Sequence, residues 1–176
     1  RATCAVGPVR VSEDPCIVHW EDAIAMLREA GELGADEGTF DDLTGALELA
    51  LGRLVKDKHG VDFFILDRFP SAIRPFYTMP CPDDARYSNS YDLFLRGQEI
   101  CSGAQRCHEP ELLERILAER GVDAAPLEAD ISSFRHGAAP HGGVGIGLER
   151  VVFLYLGLDN VRKASMFPRD PKRCSP

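Results

Sequence analysis

The most regular spacing of apolar and polar residues lies between positions 39 and 60 and predicts a long amphipathic helix. Apolar side chains recur there at steps of three and four residues, which places them on one helix face. These apolar positions are Leu43, Ala46, Leu47, Ala50, Leu51 and Leu54. We expect Thr39, with Asp42 three residues later, to cap the amino end of the helix, and Gly60 to end it.

Shorter apolar stretches predict a β-sheet. Segments of strand length, with apolar residues in runs or at alternate positions, occur at 16–19, 63–66, 74–79, 91–95, 99–105 and 142–147. The connections between 74–79, 91–95 and 99–105 are too short for crossover helices, so we expect these three strands to be antiparallel. Arg96 and Gly97 are suited to the tight turn between the last two.

Further helices are predicted at 21–29, 111–120, 127–134 and 148–156. For the helix at 111–120, Pro110 is well placed in the first turn, and Gly121 follows the carboxyl end. The segment 148–156 is apolar at nearly every position after Arg150, so we expect it to be buried on all sides. Together the elements predict an α+β fold, in which one domain over residues 1–176 has an antiparallel sheet flanked by helices.

Length, charge and cysteine content narrow the class of protein. A chain of 176 residues can bury a core without disulfides or a structural metal. The formal net charge of −8 argues against a general nucleic-acid binder, and the longest apolar run, 151–156, is too short to span a membrane. The six cysteines show no C-x-x-C spacing, so we interpret them as reduced thiols of a cytoplasmic protein.

Three alternate glycines form the most informative pattern for function. Gly143, Gly145 and Gly147 leave one face of an extended segment without side chains, so a flat group such as a nucleobase can lie close to the backbone. Arg150 follows, and a guanidinium can stack on a ring or pair with phosphate. Alternate glycines by themselves are more typical of a bulge or of close strand packing.

The wider sequence supports the nucleotide interpretation. Residues 143–150 resemble motif 3 of the class II aminoacyl-tRNA synthetases, G-x-G-x-G-x-E-R, and the similarity continues through 162–173. Residues 74–80, 88–92 and 97–106 resemble one subfamily within subclass IIb, the aspartyl-tRNA synthetases of eukaryotic and archaeal type. The resemblance implies the C-terminal portion of a class II catalytic domain. That portion contains motif 3 and lacks motifs 1 and 2 and the anticodon-binding domain.

The resemblance also assigns roles to individual residues. Arg106 matches the arginine that binds the side chain of aspartate, and its parallel donors suit a carboxylate better than an amide. An arginine at a strand end can instead form a structural ion pair. Glu99 matches a magnesium-binding catalytic glutamate, and Ser102 matches a residue near the α-phosphate with an oxygen available to Mg²⁺. His141, which precedes motif 3, either supports the loop or has no role.

The remaining matches concern ATP. Arg150 matches the catalytic arginine that stacks on adenine, and Gly145 and Gly147 are expected to form the floor beneath the base. A regular strand would point Glu99 and Ser102 to opposite faces, because they are three residues apart. If both line one site, a β-bulge must lie between them.

The implied function is that of an aspartate–tRNA ligase. Such an enzyme uses ATP and Mg²⁺ to form aspartyl-adenylate and then transfers the aspartyl group to the 3′ adenosine of tRNA. The resemblance implies a cytoplasmic parent enzyme that is a homodimer through motif 1, with no membrane partner. We expect the isolated chain to be inactive. The alternative is a free-standing, non-catalytic relative that serves as a binding or regulatory module.

Overall fold

The computed structural model describes residues 7–34 and 38–174. Within these residues, five strands form one sheet in the order β1-β2-β3-β4-β5. The strands are β1 Ile17–His19, β2 Phe63–Asp67, β3 Ser90–Leu95, β4 Gln98–Gln105 and β5 Gly142–Ile146. The α-helices are α1 Trp20–Glu29, α2 Gly45–His59, α3 Pro110–Glu119, α4 Glu128–Arg135 and α5 Leu148–Tyr155.

The sheet is antiparallel except at one edge. β1 runs parallel to β2, because α1 and α2 lie between them in the chain and return it to the same end of the sheet. The three pairings from β2 to β5 are antiparallel. The predicted turn at Arg96 and Gly97 is confirmed, and both residues have positive φ, 52° and 76°, as in the tight turns that suit the twist of a hairpin.

The residue that caps the amino end of the long helix lies five positions later than the sequence pattern predicts. Thr44 is the residue before α2, and its hydroxyl accepts a hydrogen bond from the Leu47 N–H at 3.4 Å. The prediction that Thr39 caps the helix is wrong, because the Thr39 hydroxyl accepts a bond from Arg28 at 2.7 Å instead. The predicted end is confirmed, since Gly60 is left-handed and its N–H donates to the Lys56 carbonyl.

The predicted strand at 74–79 is wrong. The segment follows a short 3₁₀ helix at Ser71–Ile73 and makes a turn in which the Thr78 N–H donates to the Pro75 carbonyl at 3.0 Å. Pro75 has no N–H for a strand ladder, which favours the turn. An isolated bridge between Thr78 and Arg106 is the ladder pairing that the described residues show between this segment and the chain just after β4.

Helices cover the two faces of the sheet unequally. α1 and α2 cover one face at β2, where Trp20, Leu51, Phe64 and Phe94 are fully buried. α5 covers the opposite face, where Phe153 and Leu154 pack with Leu95, Ile100 and Cys101. The expectation that α5 is buried on all sides is wrong, because Leu148 is 70% and Tyr155 65% exposed. The face covered by α1 and α2 remains open toward β4 and β5.

Candidate active site

Strand pairing sets the candidate residues in rows across the open face. Asp92 pairs with Ser102, and Ser102 pairs with Gly145. In the next row Ala104 pairs with Gly143. Directly paired residues point to the same face, so the glycines of β5 and the hydroxyl of β4 share one surface.

The β-bulge predicted between Glu99 and Ser102 is confirmed. Phe94 pairs with Glu99 and Leu93 with Cys101, so Ile100 is the extra residue in β4. The bulge changes the alternation by one residue and puts Glu99 on the face that carries Ser102. Glu99 and Ser102 are therefore brought to the same surface of the sheet.

Arg106 lies directly after β4, beside the glycine floor. Its guanidinium carbon is 4.8 Å from the centre of the Tyr77 ring. Its Nε and Nη2 atoms lie 2.9 Å from the point that a Cβ on Gly143 would occupy. The Arg106 N–H donates to the His141 carbonyl at 3.0 Å, and the His141 ring stacks on Phe134 at 5.7 Å. His141 thus has a packing contact that accounts for its ring, and its role in catalysis stays open.

A cavity of about 280 Å³ lies over this surface, and Arg74 lines it together with Ser102 and Arg106. Arg74 donates to Asp92 Oδ2 at 2.7 Å and to Ser102 Oγ at 3.2 Å. Its guanidinium carbon is 3.7 Å from the centre of the Phe69 ring. The site therefore presents two guanidinium groups to one small cavity.

Arg74 and Asp92 were not predicted as site residues from the sequence. The signal for Asp92 was a carboxylate inside an otherwise apolar strand, at an alternate position from Ser90 and Phe94. Such a residue is rarely buried unless it is paired. Arg74 carried no comparable signal, because the segment around it was interpreted as a strand.

Three carboxylates, Glu48, Asp92 and Glu99, lie near enough to one another to interact electrostatically. Burial, followed by the charge of Asp92, raises the pKa of Glu99. Burial and the charge of Glu99 raise the pKa of Glu48, on α2, to about 7. Burial disfavours the charged form of both carboxylates, and a bound cation would stabilise that form.

The residues present fit a divalent cation. Asp92 Oδ1 is buried and has no hydrogen-bond partner among the described residues. A hard cation such as Mg²⁺ takes carboxylate oxygens, completed by water and substrate phosphates. The described residues contain no group of three or more His, Cys, Asp or Glu placed to hold a metal, but Mg²⁺ commonly uses only one or two protein carboxylates.

Arg150 connects the carboxylates with the glycine floor. Its Nη1 donates to the Glu99 carbonyl at 2.7 Å and lies 4.0 Å from Glu99 Oε2. A Cβ on Gly147 would lie 3.5 Å from the Arg150 Cβ, so the arginine stem runs beside that glycine. A Cβ on Gly145 would meet nothing within 4 Å, which leaves room above the floor for a flat group.

The comparison with known proteins agrees with this arrangement. The sequence profile of the family described as tRNA synthetases class II (D, K and N) matches residues 14–171. This chain belongs to the class II tRNA synthetases. The resemblance read from the sequence is confirmed.

Among the similar proteins are class II synthetases named as aspartate–tRNA ligases. The cytoplasmic aspartate–tRNA ligase of Homo sapiens is 54% identical over 169 residues, which cover 96% of this chain and 33% of the relative. The cytoplasmic aspartate–tRNA ligase of Caenorhabditis elegans is 53% identical over the same length, with 31% of the relative covered. The chain therefore spans about a third of the length of these relatives.

Solved structures of class II synthetases share the fold. The aspartyl tRNA synthetase from Entamoeba histolytica is 52% identical with a TM-score of 0.90, over 97% of this chain and 35% of that one. The asparaginyl-tRNA synthetase from Pyrococcus horikoshii complexed with asparaginyl-adenylate is 30% identical with a TM-score of 0.82, over 94% of this chain and 37% of that one. These likenesses confirm the α+β class II fold.

Two further predictions concern membranes and thiols. No helix in the described residues is both long and apolar enough to cross a membrane. Cys16, Cys81, Cys101, Cys107 and Cys174 are free thiols, and Cys4 lies outside the described residues.

Proposed function

We propose that this chain is the C-terminal part of the catalytic domain of a cytoplasmic aspartate–tRNA ligase. The observation that carries the proposal is the position of Arg106, which lines the same cavity as Arg74 at one end of the motif 3 glycine floor. Two guanidinium groups in one small cavity suit a ligand with a carboxylate side chain. An asparagine amide would turn its NH₂ group toward these donors and lose a hydrogen bond.

The other end of the floor is suited to ATP. In this proposal adenine lies over Gly145 and Gly147, and Arg150 stacks on the base from the side where its stem passes Gly147. Glu99 and Asp92, with the Ser102 hydroxyl, would hold Mg²⁺. A bound Mg²⁺ neutralises charge on the phosphate oxygens.

The proposed reaction has two steps. The α-carboxylate of aspartate attacks the α-phosphorus of ATP, pyrophosphate leaves, and aspartyl-adenylate forms. The aspartyl group then passes to the terminal adenosine of tRNA, with AMP as the leaving group. This chain's residues contribute position and charge, since holding the reactants in line supplies much of the rate enhancement in phosphoryl and acyl transfer.

The aspartate-specific names of the relatives support the substrate assignment, and their description as cytoplasmic supports the location. We propose that the parent enzyme is a homodimer through motif 1, as the family resemblance implies. The presence of Glu99, Arg106 and Arg150 argues against the alternative of a non-catalytic module, which has no need of these three substrate-contacting residues.

A segment exchange tests the proposal. The matching 169-residue stretch of the human cytoplasmic enzyme is replaced by this chain, and aspartate-dependent ATP–pyrophosphate exchange is measured. We expect the hybrid to activate aspartate and not asparagine or lysine. Arg106→Leu in the hybrid should lower aspartate activation by about 10²–10³-fold, because one preorganised charge contact is lost, and leave ATP affinity largely intact. A folded hybrid that prefers another amino acid, or equal loss of aspartate and ATP binding in Arg106→Leu, would contradict the assignment.

A further inference from the structure

We propose that Gly143 and Tyr77 are positioning residues for Arg106, and that the missing side chain at position 143 is what permits the guanidinium to occupy its site. The inference rests on the proposed function, in which Arg106 binds the carboxylate of aspartate. It gives the first of the three alternate glycines a different task from the other two.

The backbone of Gly143 forms a wall against the guanidinium. An added Cβ would lie 2.9 Å from both Nε and Nη2 of Arg106 and 3.4 Å from its Cζ. Carbon and nitrogen do not pack at 2.9 Å without a hydrogen bond, so one of the two groups would have to move. No atom of the sheet backbone is among the three nearest neighbours of this added Cβ.

The conflict therefore falls on the end of a flexible side chain. Gly143 has no positive φ, so alanine can adopt its backbone conformation without strain. Arg106 has an exposed side chain that can rotate away. A substitution at position 143 should leave the fold intact and displace a guanidinium that, in the proposed function, helps to distinguish aspartate from asparagine.

Tyr77 supplies the second contact. A guanidinium 4.8 Å from the centre of a tyrosine ring is within the range of a cation–π interaction. The ring is supported edge-on by Phe76, with centroids 5.3 Å apart. The Tyr77 carbonyl accepts a hydrogen bond from the Cys107 N–H at 2.7 Å, which fixes the tyrosine relative to the residue after Arg106.

The contrast with Gly145 shows that the glycines differ in function. Space above Gly145 is open, with nothing within 4 Å of an added Cβ, whereas space above Gly143 is filled by Arg106. Gly143 thus belongs to the amino-acid end of the floor, and Gly145 and Gly147 belong to the nucleotide end. The alternating pattern of motif 3 combines two steric requirements in one strand.

The test follows the position of the guanidinium directly. The Nε–Hε NMR signal of Arg106, assigned by its disappearance in Arg106→Lys, is expected to carry a ring-current shift from Tyr77. Gly143→Ala should move this signal toward the value of a free arginine. It should weaken L-aspartate binding to the chain by about tenfold, the effect of losing one charged hydrogen bond, and leave ATP binding unchanged.

Matched variants distinguish a displaced Arg106 guanidinium from a general effect on folding. Gly45→Ala is the control for the added methyl group, because nothing lies within 4 Å of a Cβ there, and it should leave signal and affinity as in the wild type. Tyr77→Phe keeps the ring and should keep the shift, whereas Tyr77→Leu should lose it. Thermal unfolding of Gly143→Ala is expected to match the wild type.

The outcomes are distinct. An unchanged Arg106 signal and unchanged aspartate affinity in Gly143→Ala would overturn the inference, as would equal behaviour of Tyr77→Phe and Tyr77→Leu. If the signal moves as expected but the wild type binds L-aspartate no better than L-asparagine, the positioning contacts stand and the proposed function of Arg106 fails.

Discussion

Glu48 is a residue whose protonation is expected to affect the stability of the protein. It lies on α2 where the helix contacts the Arg96–Gly97 turn, and burial together with the charge of Glu99 raises its pKa from 4.5 to about 7. Because the folded state holds this proton more tightly than the unfolded chain, the resulting stabilisation is complete below about pH 4.5 and is lost as the pH rises through 7. Glu48→Gln keeps a neutral side chain at every pH. We expect it to unfold at a higher temperature than the wild type at pH 8 and at nearly the same temperature at pH 4.5.

The control is Glu29→Gln, which removes an exposed carboxylate at the end of α1. The difference in unfolding temperature between Glu29→Gln and the wild type should not grow between pH 4.5 and pH 8. A Glu48→Gln protein whose unfolding temperature follows the wild type across this range would show that Glu48 is charged at neutral pH in the fold.

Individual site residues differed in how far the sequence could predict them. The shared face of Glu99 and Ser102 followed from strand alternation and the need for a bulge, both of which are local properties of β4. The contact between Arg74 and Asp92 joins residues 18 positions apart. Arg74 lies next to a turn whose apolar residues wrongly predicted a strand. Side-chain contacts of this kind depend on the tertiary path of a loop, which periodicity does not report.

At the scale of elements, α2 packs closely on the turn of the β3–β4 hairpin. A Cβ on Gly52 would lie 2.3 Å from the Gly97 Cα and 2.8 Å from the Gly97 nitrogen, and both are backbone atoms. Gly52→Ala should therefore destabilise the protein by about 1–3 kcal/mol through overpacking, although alanine is the better helix former by up to about 1 kcal/mol. Chemical denaturation measures the difference.

Gly45→Ala, in the same helix but in open space, isolates the propensity effect and should be neutral or slightly stabilising. If Gly52→Ala behaves like Gly45→Ala, α2 does not pack on the hairpin as described. The displaced helix would also carry Glu48 away from Glu99, so Gly52→Ala should weaken the pH dependence assigned to Glu48.

Elements with strong local signals were predicted and those set by tertiary contacts were not. Gly60 ends α2 as expected because a left-handed residue with a cap hydrogen bond is a local feature. Thr39 was misassigned because its hydroxyl has a distant partner in Arg28. The partial exposure of α5 depends on which neighbours cover it, and an apolar sequence carries no information on whether they are present.

At the scale of the whole molecule, the candidate site has one well-formed wall and one open side. Among the described residues β5 is an edge strand of the sheet, and apolar side chains are exposed there and beyond it: Ile146, on the face opposite the site, at 64%, Met166 at 86% and Phe167 at 61%. The chain also spans about a third of the length of its relatives. In the class II resemblance, motif 2 supplies an α-phosphate-binding arginine and an aromatic residue that covers adenine opposite Arg150. Among the described residues, the arginines that line the cavity are Arg74 and Arg106 and the aromatic residue is Tyr77, all of which the proposed function places at the amino-acid end and not opposite Arg150.

We therefore expect the isolated chain to show no aspartate-dependent ATP–pyrophosphate exchange above background. Loss of one preorganised contact lowers the rate by about 10²–10³-fold, and loss of several should bring it below detection. The measurement needs Arg106→Leu as its control, since a contaminating host synthetase would give the same trace activity in both proteins. Exchange that depends on Arg106 in the isolated chain would mean that one wall of the site is sufficient for adenylate formation. Absence of exchange in the chain, together with activity in the hybrid with the human enzyme, would place the missing contribution in the remainder of the catalytic domain.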